Sequence, residues 1–296
     1  MVQTQTVNSA DQLTNTGYTY DGAGNLTATP GGLQLSYTGS NQLSRSSGSA
    51  TGSYTFAGTT QNELISQTVP GGATFNYTWG RTDANRLPLL ENLTNSNGTS
   101  YLWHDDTGSP LAIKTYTGGV AYYALDGLGS PVALINANGA QVATYSYDPY
   151  GEVTINFFND TATTEINPYR FAGGLNDRTT GWIKLGQRFY DPASGRFTQQ
   201  DSLEVLADPS RANRYQYAAS NPSNYVDPTG QSPTGCLGAV LQVVAGIGAF
   251  GAGLYLIFNP IAAASTVGQN VAIGIGTASV GIGLIGSGLS AADECF

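Results

Sequence analysis

Short tyrosine-led ribbons recur along this chain, and they constrain its fold more than any other feature. YTYDGAGNL, LQLSYTGSNQLSR, SYTFAGTTQNELIS, TFNYTWGRTDANRLP and TYSYDPYGEVTI share one plan. Apolar and polar residues alternate on entry: Tyr18 and Tyr20; Leu33, Leu35 and Tyr37; Tyr54 and Phe56; Phe75 and Tyr77; Tyr145 and Tyr147. A polar, glycine-rich tip follows, and the chain resumes on Leu26, Leu43, Leu64, Leu87 or Val153. Period two on both sides of a turn-forming tip predicts a β-hairpin with one buried face. Gly and Asn at the tips match turns that need a positive φ. Copies follow one another at roughly 20 residues, a spacing that marks a repeat architecture. A lone hairpin is marginal in water, so the copies must lie edge to edge as one wall.

From Tyr101 the repeat tightens. YLWHDDTGSPLAIKTYTGG and YYALDGLGSPVALINANGA are two copies of a longer unit, each entering a Gly-Ser-Pro turn and leaving on aliphatics, and Ala-Asn-Gly at 137–139 marks a further hairpin tip. Residues 1–100 therefore read as looser hairpin repeats and 101–230 as a denser block. The region 231–296 differs in kind, with no charged residue between Asp227 and Asp293. Residues 236–258 are long and apolar enough for a bilayer-crossing helix of ~20 residues, and 271–289 form a second, glycine-rich candidate. Ala249 with Gly253, and Gly283 with Ser287, have the spacing that lets helices approach closely. A helical hairpin here would bring Cys236 and Cys295 to one end, within reach of a disulfide. The predicted fold class is thus all-β, a strip of stacked hairpins, with a Gly/Ala-rich helical, membrane-seeking tail.

Composition excludes several functions. Net charge is −9, with no basic stripe, which argues against nucleic acid as a partner. His104 is the only histidine, so neither a His-rich metal site nor a Ser-His-Asp arrangement is expected. WHDD at 103–106 reads as a strand end entering a turn. DGAGN at 21–25 lacks the later acidic ligands of a calcium loop, and there is no GK[ST] phosphate loop. No cofactor and no metal is expected. The N-terminus has neither a basic start nor an apolar core, so no signal peptide is visible, and it begins almost in mid-repeat, as a fragment of a longer chain would.

Residues 167–230 carry YRFAGG, LNDRTTGWIKLGQRFYDPASGRF, QQDSL and NRYQYAASNPSNYVDPTG in succession, preceded by DGLGSPVAL and YSYDPYGEV. In this order they resemble the core domain of the RHS/YD-repeat proteins, bacterial relatives of the teneurin shell. The likeness covers 101–230, reaches 1–100 through the hairpins and the Tyr20-Asp21 pair, and stops before 231–296. It implies a β-strip spiralling into a hollow shell plugged by the core domain; this chain would form part of such a shell. It also implies an intramolecular aspartyl-type protease that cuts just past the DPxG motif and leaves the tail enclosed as cargo. By that resemblance the catalytic residues are Asp227 in VDPTG, Asp201 in QQDSL and Arg188 in GQRFYDP, with cleavage around Gly230, Gln231 and Ser232. Two carboxylates held close cannot both ionise, and such a pair can activate water and protonate a departing amide. A guanidinium beside them can hold one carboxylate charged or stabilise an oxyanion. The plain alternative for the carboxylates is turn Asp residues accepting backbone hydrogen bonds; for Arg188 it is an ion pair or a stack on Tyr190. Gln231 stands where the family has leucine, which leaves cleavage after Gln231, slowed cleavage and no cleavage as alternatives.

The functional expectation is a shell and core module that encloses and self-cleaves to release a membrane-active tail in bacterial competition or toxin delivery. The tail has too few acidic, basic and histidine residues for a nuclease or deaminase. Such a protein would be bacterial and secreted or at the cell surface, with a membrane, a delivery protein or an immunity protein as partner. The alternative is a cell-surface adhesion or carbohydrate-binding protein whose tail is an uncleaved anchor; a third reading is an inert relic.

Overall fold

The computed structural model describes residues 4–57, 63–83, 86–201 and 213–231. The tail, with the membrane segments 236–258 and 271–289, Cys236 and Cys295, lies outside them, as does Ser232. Among the described residues no helix is long and apolar enough to cross a membrane.

The hairpins form one sheet of 14 strands. They are β1 (Thr19–Tyr20), β2 (Leu26–Ala28), β3 (Leu33–Tyr37), β4 (Leu43–Gly48), β5 (Gly52–Ala57), β6 (Glu63–Thr68) and β7 (Thr74–Thr82). They continue as β8 (Pro88–Asn95), β9 (Gly98–His104), β10 (Pro110–Lys114), β11 (Val120–Leu125), β12 (Pro131–Asn136), β13 (Gln141–Tyr147) and β14 (Val153–Phe158). Each strand pairs antiparallel with its neighbours in sequence, so spatial order equals chain order. The all-β strip expected from the period-two pattern is the observed architecture.

The tips explain why the ribbons repeat. In Asp21–Asn25 the Asp21 N–H donates to the Asn25 carbonyl, and the Gly24 N–H donates back to the Asp21 carbonyl. Asp21 Oδ1 also accepts from the N–H groups of Ala23 and Asn25, both at 2.9 Å. Asp105, Asp126, Asn136 and Asp148 accept in the same way from the second and fourth residues after them. The carboxylate or amide thus satisfies amides that the turn would leave unpaired. The residue before the last takes a left-handed conformation: Gly24 has φ 81°, and Asn41 fills the same place with φ 60°. Period two does not report the acceptor that opens these five turns; the Asp or Asn at that place does.

One face of the strip carries expected residues, Leu26, Leu33, Leu35, Leu43, Tyr54, Leu64, Tyr77 and Tyr145, which are buried, and Leu93, Leu102 and Ile113 join them. Val153 departs from the pattern at 36% exposed. Among the described residues β14 ends the sheet and pairs only with β13, so its side chains are covered from one side at most.

The strip wraps this face around a plug made by the following residues. After a short helix, α1 (Thr161–Ile166), come the strands β15 (Leu175–Asn176), β16 (Ile183–Leu185), β17 (Arg188–Asp191) and β18 (Arg196–Phe197), a separate 4-stranded sheet. Tyr169, Leu175, Trp182 and Phe189 of the plug join the apolar core of the wall. Phe171, Ile183, Leu185, Tyr190, Phe197 and Tyr217 pack as a second cluster within the plug. Polar contacts seat it from many directions. Tyr215 Oη donates to the Gly24 carbonyl (2.7 Å), Gln42 Nε2 to the Gln187 carbonyl (3.1 Å) and Tyr123 Oη to Asn167 Oδ1 (2.8 Å). His104, the last residue of β9, shares a hydrogen bond of 2.7 Å with Tyr169 Oη.

Lys184 is buried between wall and plug. Its ammonium donates to the Gly186 carbonyl and lies over the rings of Phe56 and Phe189 at 5.5 and 5.9 Å. Burial pushes its pKa down to about 7. Between that value and the ordinary lysine value the unfolded chain holds more protons than the folded one, so stability rises with pH across that window. The Lys184→Met variant is expected to lose this rise, read as a urea midpoint that stays level from neutral to alkaline pH where that of the parent chain climbs.

Candidate functional site

The hairpin between β16 and β17 places Arg188 as the first residue of β17, with 5% exposure. Its guanidinium carbon lies over the Phe197 ring, 3.7 Å from the centroid. The aromatic partner is thus Phe197 of β18, not Tyr190, because the neighbouring strand brings that ring beneath the arginine.

Asp201 follows β18. Its N–H donates to the Arg214 carbonyl at 2.9 Å, and the Arg214 guanidinium returns to the Asp201 carbonyl, with Nε at 3.1 Å. This exchange brings Asp201 Oδ2 to 2.9 Å from Arg188 Nη2. Asp227 opens a tight turn in which the Gly230 N–H donates to the Asp227 carbonyl. Its Oδ2 lies 3.5 Å from the same Arg188 Nη2. Thus Arg188, Asp201 and Asp227, each predicted as a site residue, meet at one buried point. Arg188 Nη1 also donates to the Arg214 carbonyl at 3.0 Å.

Burial pushes the Arg188 guanidinium down, and the charges of Asp201 and then Asp227 push it back up. The phenol of Tyr217 is raised by burial and next by the charge of Asp227. The site is therefore a cation held between two carboxylates in a poorly solvated pocket, where charge interactions are strong.

Two glycines lock the turn against the hairpin. Gly230 has φ 66°, and a Cβ there would come within 2.4 Å of the Leu185 carbonyl oxygen. A Cβ on Gly186 would meet the Thr229 carbonyl at 2.1 Å. The Gln187 N–H donates to that same Thr229 carbonyl at 3.0 Å. The last described residues are gripped as well: Arg188 Nε donates to the Gly230 carbonyl, and the Gln231 N–H donates to Asp227 Oδ1 at 3.0 Å. The motifs do not single out Gly186, Phe197 or Arg214. The glycine just before Gln187-Arg188 was the available signal; nothing local marks Arg214 as the residue that holds Asp201.

A family model, the teneurin YD-shell, matches residues 2–223, which ends short of Asp227. Mouse teneurin-3 is 31% identical over 145 residues, 48% of this chain and 5% of the relative. The tRNA nuclease WapA of Bacillus subtilis is 31% identical over 174 residues, 56% of this chain and 7% of the relative. The chain therefore spans only a small fraction of these relatives. The crystal structure of TcdB2-TccC3 matches 71% of this chain and 11% of that one, with a TM-score of 0.57 at 17% identity, a likeness of fold. With its matched residues making one sequential antiparallel strip around a plug, this chain belongs to the teneurin YD-shell family.

Proposed function

We propose that this chain is the closing end of a toxin-related RHS/YD shell, which holds its own residues 231–296 as cargo and frees them by intramolecular aspartyl-type cleavage. The observation that carries the reading is Arg188 Nη2 standing 2.9 Å from Asp201 and 3.5 Å from Asp227, beside the turn through which the chain leaves the plug. Two carboxylates grouped on one guanidinium can divide the roles of general base toward water and general acid toward the departing amide. Folding supplies the proximity, so no substrate has to be recruited. The names of the relatives support a toxin-related shell: one is a tRNA nuclease and a structural neighbour is a Tc holotoxin pore from Photorhabdus luminescens. On this reading residues 1–100 are the looser repeats and 101–230 the core domain, which supplies both the last strands of the wall and the plug, and the protein acts at the cell surface or after secretion. The tail, uncharged from 228 to 292, acts on a membrane rather than on nucleic acid.

Expression of the full chain followed by a denaturing gel tests this. The parent chain is expected to yield a separate tail fragment, and Asp227→Asn and Asp201→Asn each to yield only the intact chain. An uncut parent chain overturns the reading. The released tail is expected to partition into lipid vesicles; a tail that stays in the aqueous phase removes the membrane part alone.

A second reading rests on the outer face of the wall. Strand register places Trp103, Ala112 and Tyr122 in one row across β9–β11, and both aromatics are about half exposed. Such a platform fits an adhesion role with carbohydrate as partner and the tail as an uncleaved anchor. It predicts glycan binding that Trp103→Ala abolishes, with no tail fragment on the gel.

A further inference from the structure

We infer that two copies of this chain pair through β14, antiparallel about a twofold axis, so that their walls join into one continuous sheet. Strand β14 pairs with β13, and its other edge meets no strand among the described residues. All six of its residues, VTINFF at 153–158, are exposed. Four of them are apolar: Val153, Ile155, Phe157 and Phe158, between 36 and 57% exposed. The segment holds no charged residue and no proline, the devices that commonly keep an edge strand single. Such an edge offers main-chain N–H and C=O groups beside apolar side chains, which makes it a template for another strand.

The strand's own register names the occupant. Val153 lies opposite Tyr147, Ile155 opposite Tyr145 and Phe158 opposite Ala143, partners that belong to the apolar core, so these three stand on the inward face. Thr154 lies opposite Ser146 and Phe157 opposite Thr144, on the outward face. Asn156 is the extra residue of a bulge, which is why Ile155 and Phe158 share a face although they are three positions apart. A twofold axis between Ile155 and Asn156 then sets Val153 against Phe158 of the second copy on the inward face, and Thr154 against Phe157 of the second copy on the outward face. Inward residues meet inward residues and outward meet outward, so each strand covers the other's apolar side chains. A regular strand without the bulge would oppose inward to outward at this register. At the ends Glu152 meets Asn159 of the second copy, so no like charges face each other. The contact is isologous and closes after two copies. It also carries the core face of β13 and β14 on into the second wall, as each earlier strand carries it into the next.

The pairing stands whether or not the tail is cut, and light scattering after size exclusion of the full chain tests it. The expected mass at high concentration is twice that of one chain. A single-chain mass there overturns the inference, even if 153–158 is protected, because another part of the same chain would then be the cover. Ile155→Lys and Phe157→Lys place a charge on the inward and the outward face of the new pair. Both sites are exposed in the single chain, so the urea midpoint of each variant is expected to match the parent at low concentration. Each variant is expected to weaken association by about tenfold or more, as a lysine on an edge strand opposes pairing. A smaller effect in either variant overturns the inference; association through the apolar tail would survive both. Hydrogen exchange at 153–158 reads the edge itself. It is expected to be slow in the paired parent and faster in both variants, and equal exchange in all three overturns the pairing.

Discussion

Replacing Arg188 with methionine is expected to lower the unfolding free energy by about 3–5 kcal/mol, the cost of leaving buried charge uncompensated. Arg188 is the shared partner of Asp201 and Asp227, whose side chains are 12% and 2% exposed. Methionine preserves much of the packing on Phe197 but removes the cation, so two carboxylates would face each other in a poorly solvated pocket. The chain escapes by protonating one of them, or by letting the turn at 227–230 swing out to water. The first escape makes the variant regain stability as pH falls; the second frees the segment Asp227–Gln231. Urea denaturation of the parent and variant at neutral and mildly acidic pH separates these outcomes. The triple variant Arg188→Met, Asp201→Asn, Asp227→Asn is expected to recover a large part of the loss, because it removes the charges together. A single Arg188→Met variant as stable as the parent would mean that the carboxylates are not held by this guanidinium.

The second large effect falls on Asp177, the fully enclosed carboxylate that ties plug to wall. Tyr54 Oη of β5 donates to its Oδ2 at 2.9 Å and Gln67 Nε2 of β6 to its Oδ1 at 2.5 Å. The Thr179 N–H and Thr180 Oγ1 complete the set from the plug's own turn. Gln67 is in turn held by Tyr77 Oη at 3.0 Å, so three wall strands converge on one side chain. Asp177→Ala leaves these buried donors without an acceptor and opens a void, and is expected to cost about 3 kcal/mol or more. Asp177→Asn should cost far less, since its oxygen can serve Gln67 and the Thr179 N–H while its amide donates to the two hydroxyls. Burial pushes the Asp177 carboxyl above its ordinary value. The folded chain then binds a proton at a pH where the unfolded chain has released it, so this group's share of stability is lost as pH rises through the folded pKa. Asp177→Asn abolishes that dependence. Thermal melts of parent, Asn and Ala variants across the acidic range give both results; equal melting temperatures for Asn and Ala would show that the donors are satisfied in some other way.

The wall was legible in the chain because its determinants are local. Alternation such as Leu33, Leu35, Tyr37 needs only the geometry of a strand to place one face inward. A turn such as Asp21–Asn25 closes with groups at most four residues apart. The site was legible in part. Arg188, Asp201 and Asp227 came from motifs that resemble a known family, and no spacing could have shown that they meet. Gly186 and Arg214 went unread because their reasons lie elsewhere: the first makes room for Thr229, and the second holds the carbonyl of Asp201. Val153 fits the alternation yet stays exposed, because a strand's burial depends on what lies beyond it and β14 is the last in its sheet.

What the amino-acid order alone determined is the ribbon: period two, an Asp or Asn acceptor at many of the turns, and chain order as sheet order, all of which operate within a few residues. What only the tertiary structure decided is the meeting of distant parts. Tyr54 reaches Asp177 across 123 residues, and Arg188 reaches Asp227 across 39. Such pairings depend on how far the strip curves and where the plug seats against it, and those are sums over many weak packing contacts that no single stretch of the chain encodes.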